Sequence, residues 1–366
     1  MTAGAELGRL VAAMLVGAWR VTPPPYALPR TVLADINPLL LAGGVGALAW
    51  RRVSHGGDAA LQKSREAFEL RQAYRLHSVQ AALHVKQIED ALTLLRTSGV
   101  EPLLAKGWAA ARHYPEPGLR PYGDIDLYVR PEQYHVAHAA LFRSGIPPAP
   151  VDLHSGCPGL EDRNMDQLYA RSETTVVGDA EARVFGPEDH LHLLCVHMLS
   201  HGICRPVWLC DIGAALESLP YDFDWDRFWG TSSRRSGWLR CALVLSHQLL
   251  GASLDKTPLA YRPYTLPSWV ARAVREQWGS TFRPRIQMAS FLRHPEGLFR
   301  EMRHHWPNPI EATVGVGGAF TRVPRWPLQL AHSFVRSTRL ATQLARLKLS
   351  GKRRVDESHT SGLLTL

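Results

Sequence analysis

Asp124 and Asp126 stand two residues apart in the segment DIDLYV, which alternates polar and apolar side chains. That alternation is the pattern of a half-buried β-strand, and residues i and i+2 of a strand point to one face. Two carboxylates held on one face repel each other, and a cation between them relieves the repulsion. Such hard oxygen donors suit Mg2+ or Mn2+ rather than zinc. A pair of these ions serves phosphoryl transfer: one lowers the pKa of an attacking hydroxyl and the other steadies a leaving phosphate. A third acid, Asp152, lies in VDLH (Val151–His154), with His154 two residues further along the same face. Upstream, Lys106-Gly107 falls where a strand should turn into a helix, and backbone N–H groups exposed at such a turn can hold phosphate oxygens.

These residues need particular elements to bring them together. The spacing predicts a long helix over Ser64–Thr97 closed by Gly99, then a short apolar strand, Val100–Ala105. A short helix follows over Trp108–His113, and YPEPGLRPYG (Tyr114–Gly123) reads as loop from its Pro and Gly content. DIDLYV is the second strand. Pro131 opens a helix to Ser144 with Gly145 past its end, the Pro-rich 146–150 follows, and VDLH is the third strand. Thr174–Val177 and Ala182–Phe185 flank Gly178-Asp179 as a β-hairpin. Helices follow, one opening at Pro187 and carrying His190, His197 and His201, the others over Trp208–Leu219 and Trp238–Leu250. Residues 1–60 read as one or two helices broken by Pro23-Pro24-Pro25 and Gly56-Gly57-Asp58.

The order strand, Lys-Gly, helix, loop, DIDLYV, helix, VDLH resembles the nucleotidyltransferase superfamily of the polymerase-β type. The stretch LLAKGWAAARHYPEPGLRPYGDIDLYV is most similar to a bacterial branch, the nucleotidyltransferase family proteins. That branch has a Lys-Gly opening, an Arg shortly before its Asp-x-Asp, and a later Asp/Glu-x-His. The matching positions are Lys106-Gly107, Arg120, Asp124/Asp126 and Asp152/His154. HMLSHGICRPVWLCDIGAAL is similar to the branch's helical segment of His, Arg and Asp-Ile, here His197, Arg205 and Asp211. The resemblance implies an α+β fold: a small mixed β-sheet core between helical N-terminal and C-terminal regions. It implies transfer of a nucleoside monophosphate from an NTP, ATP foremost, with release of pyrophosphate. Two Mg2+ (or Mn2+) ions would be held by the catalytic acids Asp124, Asp126 and Asp152. Lys106, Gly107, Arg120 and Asp211 would bind the nucleotide, and His154, His197 and Arg205 would lie on the substrate side. Two departures stand out. Gly107-Trp108 replaces the superfamily's usual Gly-Ser, so a phosphate-touching hydroxyl is absent, and the 17 residues from Gly107 to Asp124 exceed the usual spacing.

On this reading residues 1–98 form a helical N-terminal segment and 99–186 the nucleotidyltransferase core. Residues 187–328 form a mainly helical C-terminal domain, and 329–366 a basic amphipathic helix with a flexible tail. The chain of 366 residues is 45% hydrophobic and 20% charged, enough to bury a core and too apolar for a disordered chain. Its net charge of +9 sits in the tail: from Ala271 onward, 16 Lys and Arg face 6 Asp and Glu, so the body is near neutral. The tail can therefore meet an anionic partner, while the acceptor, whether sugar, peptide, protein or RNA, is not encoded in any motif. Two other functions fit the same motifs: a non-catalytic nucleotide-binding or partner protein, and an RNA- or tRNA-modifying nucleotidyltransferase gripping phosphates with the basic tail. Five Cys without a CxxC pair do not build a disulfide framework. The apolar run Pro38–Trp50, 13 residues, is too short for a span of roughly 20. A reducing, cytoplasmic setting is the expectation.

Overall fold

The computed structural model describes residues 2–25, 29–143, 151–262, 264–280 and 306–349. The expected cap at Gly145, the Pro-rich 146–150 and the tail from Lys352 lie outside the described residues.

The N-terminal region holds α1 (Ala3–Leu15), α2 (Arg30–Ala42), α3 (Gly46–His55) and the single turn α4 (Ala59–Gln62). This is more finely divided than the sequence suggested. Gly43-Gly44, with Gly44 at φ +72°, breaks the apolar run Pro38–Trp50 into two helices. The long helix appears as α5 (Arg65–Thr97), capped by the Ser64 hydroxyl, which accepts from the Ala67 N–H. Gly99 follows it at φ +76°, the left-handed exit that a Cβ disfavours.

The sheet follows. It contains β1 (Leu103–Ala105), β2 (Ile125–Val129), β3 (Val151–Ser155), β4 (Glu173–Val177) and β5 (Ala180–Val184), in the order β3-β2-β1-β5-β4. The β1–β2 and β4–β5 pairs are antiparallel, and the β2–β3 and β1–β5 pairs are parallel. Short helices fill the connections: α6 (Gly107–Ala111) after β1, α7 (Tyr134–Arg143) between β2 and β3, and α8 (Met165–Ala170) before β4. α8 was missed in the sequence. Its start is marked by a capping box in which Asn164 and Gln167 satisfy each other's backbone N–H.

β2 is buried along its whole length rather than on one face as the alternation suggested. Ile125, Leu127 and Val129 pack with Ile88, Leu92, Leu95 and Ala137 on one side of the sheet. Tyr128 packs with Leu103, Phe185 and Leu193 on the other. A strand covered on both faces keeps its alternation when the polar side is spent on buried ion pairs, which is the case for Asp126.

The helical region comprises α9 (Pro187–Ser200), α10 (Pro206–Glu217), α11 (Trp225–Trp229), α12 (Ser233–Leu250) and α13 (Ser268–Trp278). α1 packs on α13 and α12, and Trp19 donates to Glu217 at the end of α10 at 3.0 Å. The N-terminal segment therefore braces the helices that follow the sheet. The described residues divide into two compact units, one within Met1–Arg283 plus Ala319–Arg322 and one within Pro284–Gly318 plus Val323–Leu366. The second contains the helices Pro309–Gly315 and Trp326–Leu349, joined by an Arg336–Glu311 ion pair. The fold is α+β, a five-stranded mixed sheet with helical flanks. No helix among the described residues is long and apolar enough to cross a membrane.

Candidate active site

Strand register assembles the site. Ala105, the last residue of β1, pairs with Asp126, and Asp126 pairs with Asp152 across the parallel β2–β3 ladder. Directly paired residues share a face, so the two acids point the same way, and Lys106 arrives beside them as β1 ends. His154, paired with Tyr128, lies on that face too.

The contacts are close. Lys106 Nζ donates to Asp126 Oδ1 at 2.6 Å. His154 Nε2 lies 3.1 Å from Asp126 Oδ1 and 3.2 Å from Asp152 Oδ2. The Asp126 side chain is 3% exposed, whereas Asp152 keeps 47% open. The His154 ring stacks on Tyr128 with centroids 4.3 Å apart. Burial alone would lower the His154 pKa, but its bonds to the two carboxylates outweigh this and raise it. The same His154 hydrogen bond holds Asp152 below its ordinary value.

Lys106 adopts φ +47°, a conformation that costs an L-residue about 1–3 kcal/mol and persists where surrounding contacts impose it. Its ion pair with Asp126 is such a contact. Gly107 is next. A Cβ there would press to 3.1 Å on the Asp124 carbonyl, so glycine lets the two ends of the loop meet. Asp124 itself is exposed just before β2. Its pKa is raised, first by desolvation and then by the Asp126 charge. Among the described residues one mutual set of ligand atoms fits a metal: a carboxylate oxygen from Asp126 and one from Asp152 with a ring nitrogen of His154, all within 4.8 Å of one another. Two oxygens and one imidazole nitrogen suit a divalent cation. Asp124 is not part of that set.

Arg120 and Asp211 also come together, with each other. The guanidinium grips the carboxylate, Nη2 to Oδ2 at 2.8 Å and Nε to Oδ1 at 3.1 Å. Tyr114 donates its hydroxyl to Asp211 Oδ1 at 2.8 Å, and the arginine's remaining nitrogen, Nη1, reaches the Pro121 carbonyl at 3.2 Å. Both charged side chains are buried. This pair ties the loop before β2 to the first turns of α10. Nothing in the spacing of Tyr114 marked it as the third member.

His197 lies on α9 with its ring 4.5 Å from that of His201 and edge-on to Trp208 at 5.0 Å. Its pKa is lowered well below the ordinary value, by burial first and then by His201 and the charge of Lys106, so it is neutral near pH 7. Arg205 precedes α10, with its guanidinium carbon 5.8 Å from the Trp208 ring centre. Two further residues that spacing did not flag belong here. Tyr128, two positions past Asp126, could have been found by its place on the same strand face. His77, on α5, has a buried Nδ1 without a hydrogen-bond partner among the described residues and feels the charge of Arg205.

A family model described as "uncharacterised nucleotidyltransferase" matches residues 38–251, more than half of the chain. No curated protein and no solved structure matches it.

Proposed function

We propose, from the premise that this chain belongs to the uncharacterised nucleotidyltransferase family, that it transfers a nucleoside monophosphate from an NTP, ATP foremost, to an acceptor hydroxyl or phosphate. The observation that carries this reading is the meeting of Asp126, Asp152 and His154 beside Lys106 at one end of the sheet.

Asp126, Asp152 and His154 would hold one Mg2+ or Mn2+ ion, and Asp124 with Asp126 a second. Such ions, when bound, lower the pKa of the attacking hydroxyl and balance the charge of the leaving phosphates. The chain's own groups do the rest. Tyr128, stacked under His154, and Lys106, paired with Asp126, fix the carboxylates in place before substrate arrives, so little reorganisation is left for the reaction. The acceptor oxygen forms a bond to the α-phosphorus as the bond from that phosphorus to the bridging oxygen breaks, and pyrophosphate leaves. Asp152, half open to solvent, relays the hydroxyl proton to water. Arg120 and Asp211 act on this step by holding the loop that carries Asp124.

The test is incubation of the full chain with each α-labelled NTP, Mg2+ or Mn2+, and a cell lysate as acceptor pool. Label should move to an acceptor as pyrophosphate is released, and Asp126→Asn should lower both by at least ~100-fold. Nucleotide binding with no transfer from any NTP, or full transfer by Asp126→Asn, would overturn the proposal.

A further inference from the structure

Buried arginines in this protein are compensated in several places. Arg51 pairs with Glu116, Arg120 with Asp211, and Arg163 with Asp189, while Arg52 donates to the carbonyls of Val16 and Pro24. Arg205 departs from this pattern. It is partly buried, its carbonyl accepts from the Trp208 N–H, and its guanidinium makes no hydrogen bond or ion pair to any described residue. Room is kept for it: a Cβ on Gly44 would come 2.9 Å from Arg205 Nη2, and Gly44 also sits at φ +72°.

Its surroundings are rich in nitrogen and poor in acceptors. Arg120 lies close enough to lower the Arg205 pKa, after desolvation, which is the larger cause. His77 offers a buried ring nitrogen without a partner among the described residues, and the charge of Arg205 acts on that ring. The ring nitrogens of His197, which packs on the same Trp208 as Arg205, bond to no described residue. The carboxylates that Arg205 feels are Asp124, which borders the metal cluster, and Asp211, which is already held by Arg120. A guanidinium partly shielded from water and without a counter-charge is poorly compensated, and an anionic ligand that supplies the charge relieves this.

We infer that Arg205 is the phosphate anchor of this site, holding the terminal phosphates of the NTP that leave as pyrophosphate, with Arg120 reserved for positioning. The inference rests on the nucleotidyl-transfer reading above and deepens it. Charge-assisted bonds from a guanidinium to phosphate are often bidentate and are strong, and Arg205 Cζ lies over the Trp208 ring at 5.8 Å. The same chemistry would also serve a phosphate belonging to the acceptor, and the ligands below separate the two sources.

The experiment compares wild type, Arg205→Met and Arg205→Lys as full chains, by calorimetric titration and thermal unfolding with Mn2+ present. The probes are pyrophosphate, ATP and AMP. Arg205→Met should bind pyrophosphate and ATP about 10- to 100-fold more weakly and AMP unchanged, with Arg205→Lys between the two. The ligand-free Tm of Arg205→Met should rise, because an uncompensated charge is gone, and its stabilisation by pyrophosphate should vanish. A lowered ligand-free Tm with unchanged pyrophosphate affinity would make Arg205 a structural residue and overturn the inference. Equal loss of AMP binding would overturn the assignment to terminal phosphates, and a wild type that binds no pyrophosphate would overturn the anchor itself. A wild type that binds pyrophosphate through Arg205 but neither ATP nor AMP would keep the anion site and defeat nucleotidyl transfer.

Discussion

At the scale of residues, His154 sets the donor chemistry of the candidate metal set. It brings a ring nitrogen to where Asp126 and Asp152 converge, so the set is mixed rather than all-oxygen. Imidazole favours Mn2+ and later transition ions over Mg2+, which prefers oxygen and keeps its water. His154→Ala should therefore weaken Mn2+ binding by roughly 10- to 100-fold, followed by electron paramagnetic resonance of the free ion, and affect Mg2+ less. Unchanged Mn2+ affinity would mean that His154 only orients the two acids. The pattern Asp-x-His showed that His154 shares a face with Asp152. It did not show that Asp126 lies within reach of the same nitrogen, because that depends on strand register.

At the scale of elements, one buried ion pair joins α10 to the loop ahead of β2. Arg120, Asp211 and Tyr114 satisfy each other there, and removing one charge leaves the other buried and unpaired. Asp211→Asn should cost about 3–5 kcal/mol in urea unfolding, whereas Arg120→Met combined with Asp211→Leu should recover most of it. Additive losses in the double variant would show that the two side chains do not act as a pair. The long loop between Gly107 and Asp124 follows from this arrangement. It must carry Tyr114 and Arg120 across to α10 and still return to meet Gly107, where a Cβ would press to 3.1 Å on the Asp124 carbonyl.

At the scale of the molecule, buried histidines set the acid limit. His192 is fully buried on α9, with Nδ1 2.8 Å from the Phe228 carbonyl and 3.3 Å from Arg163 Nη2. Desolvation is the main cause that lowers its pKa from 6.5 to about 4. The unfolded chain therefore binds a proton below pH 6.5 that the folded chain refuses. The stabilisation is complete above pH 6.5 and is lost as pH falls toward 4. The loss is on the order of 3 kcal/mol for this one residue. His113, also lowered to about 4 chiefly by burial, adds in the same direction. Urea midpoints measured between pH 7.5 and 4.5 should fall steeply, and less so in His192→Asn, which cannot titrate there. Parallel slopes for the two proteins would remove His192 from the account.

The sequence alone determined what local physics controls. Period-two alternation marked β2, Ser64 and Gly99 bounded α5, and Gly178 marked the hairpin, because each depends on a few neighbouring residues. The order Lys-Gly, Asp-x-Asp, Asp-x-His named the segments that strand register then sets side by side, Ala105 against Asp126 and Asp126 against Asp152. Only the tertiary structure decided which charges cancel which. Whether Arg120 faces a substrate or Asp211, 91 residues away, depends on how α10 docks, and no spacing encodes that distance. The same docking leaves the Arg205 guanidinium without an ion pair among the described residues, since a charge is paired or unpaired only by what the folded chain brings within a few ångströms.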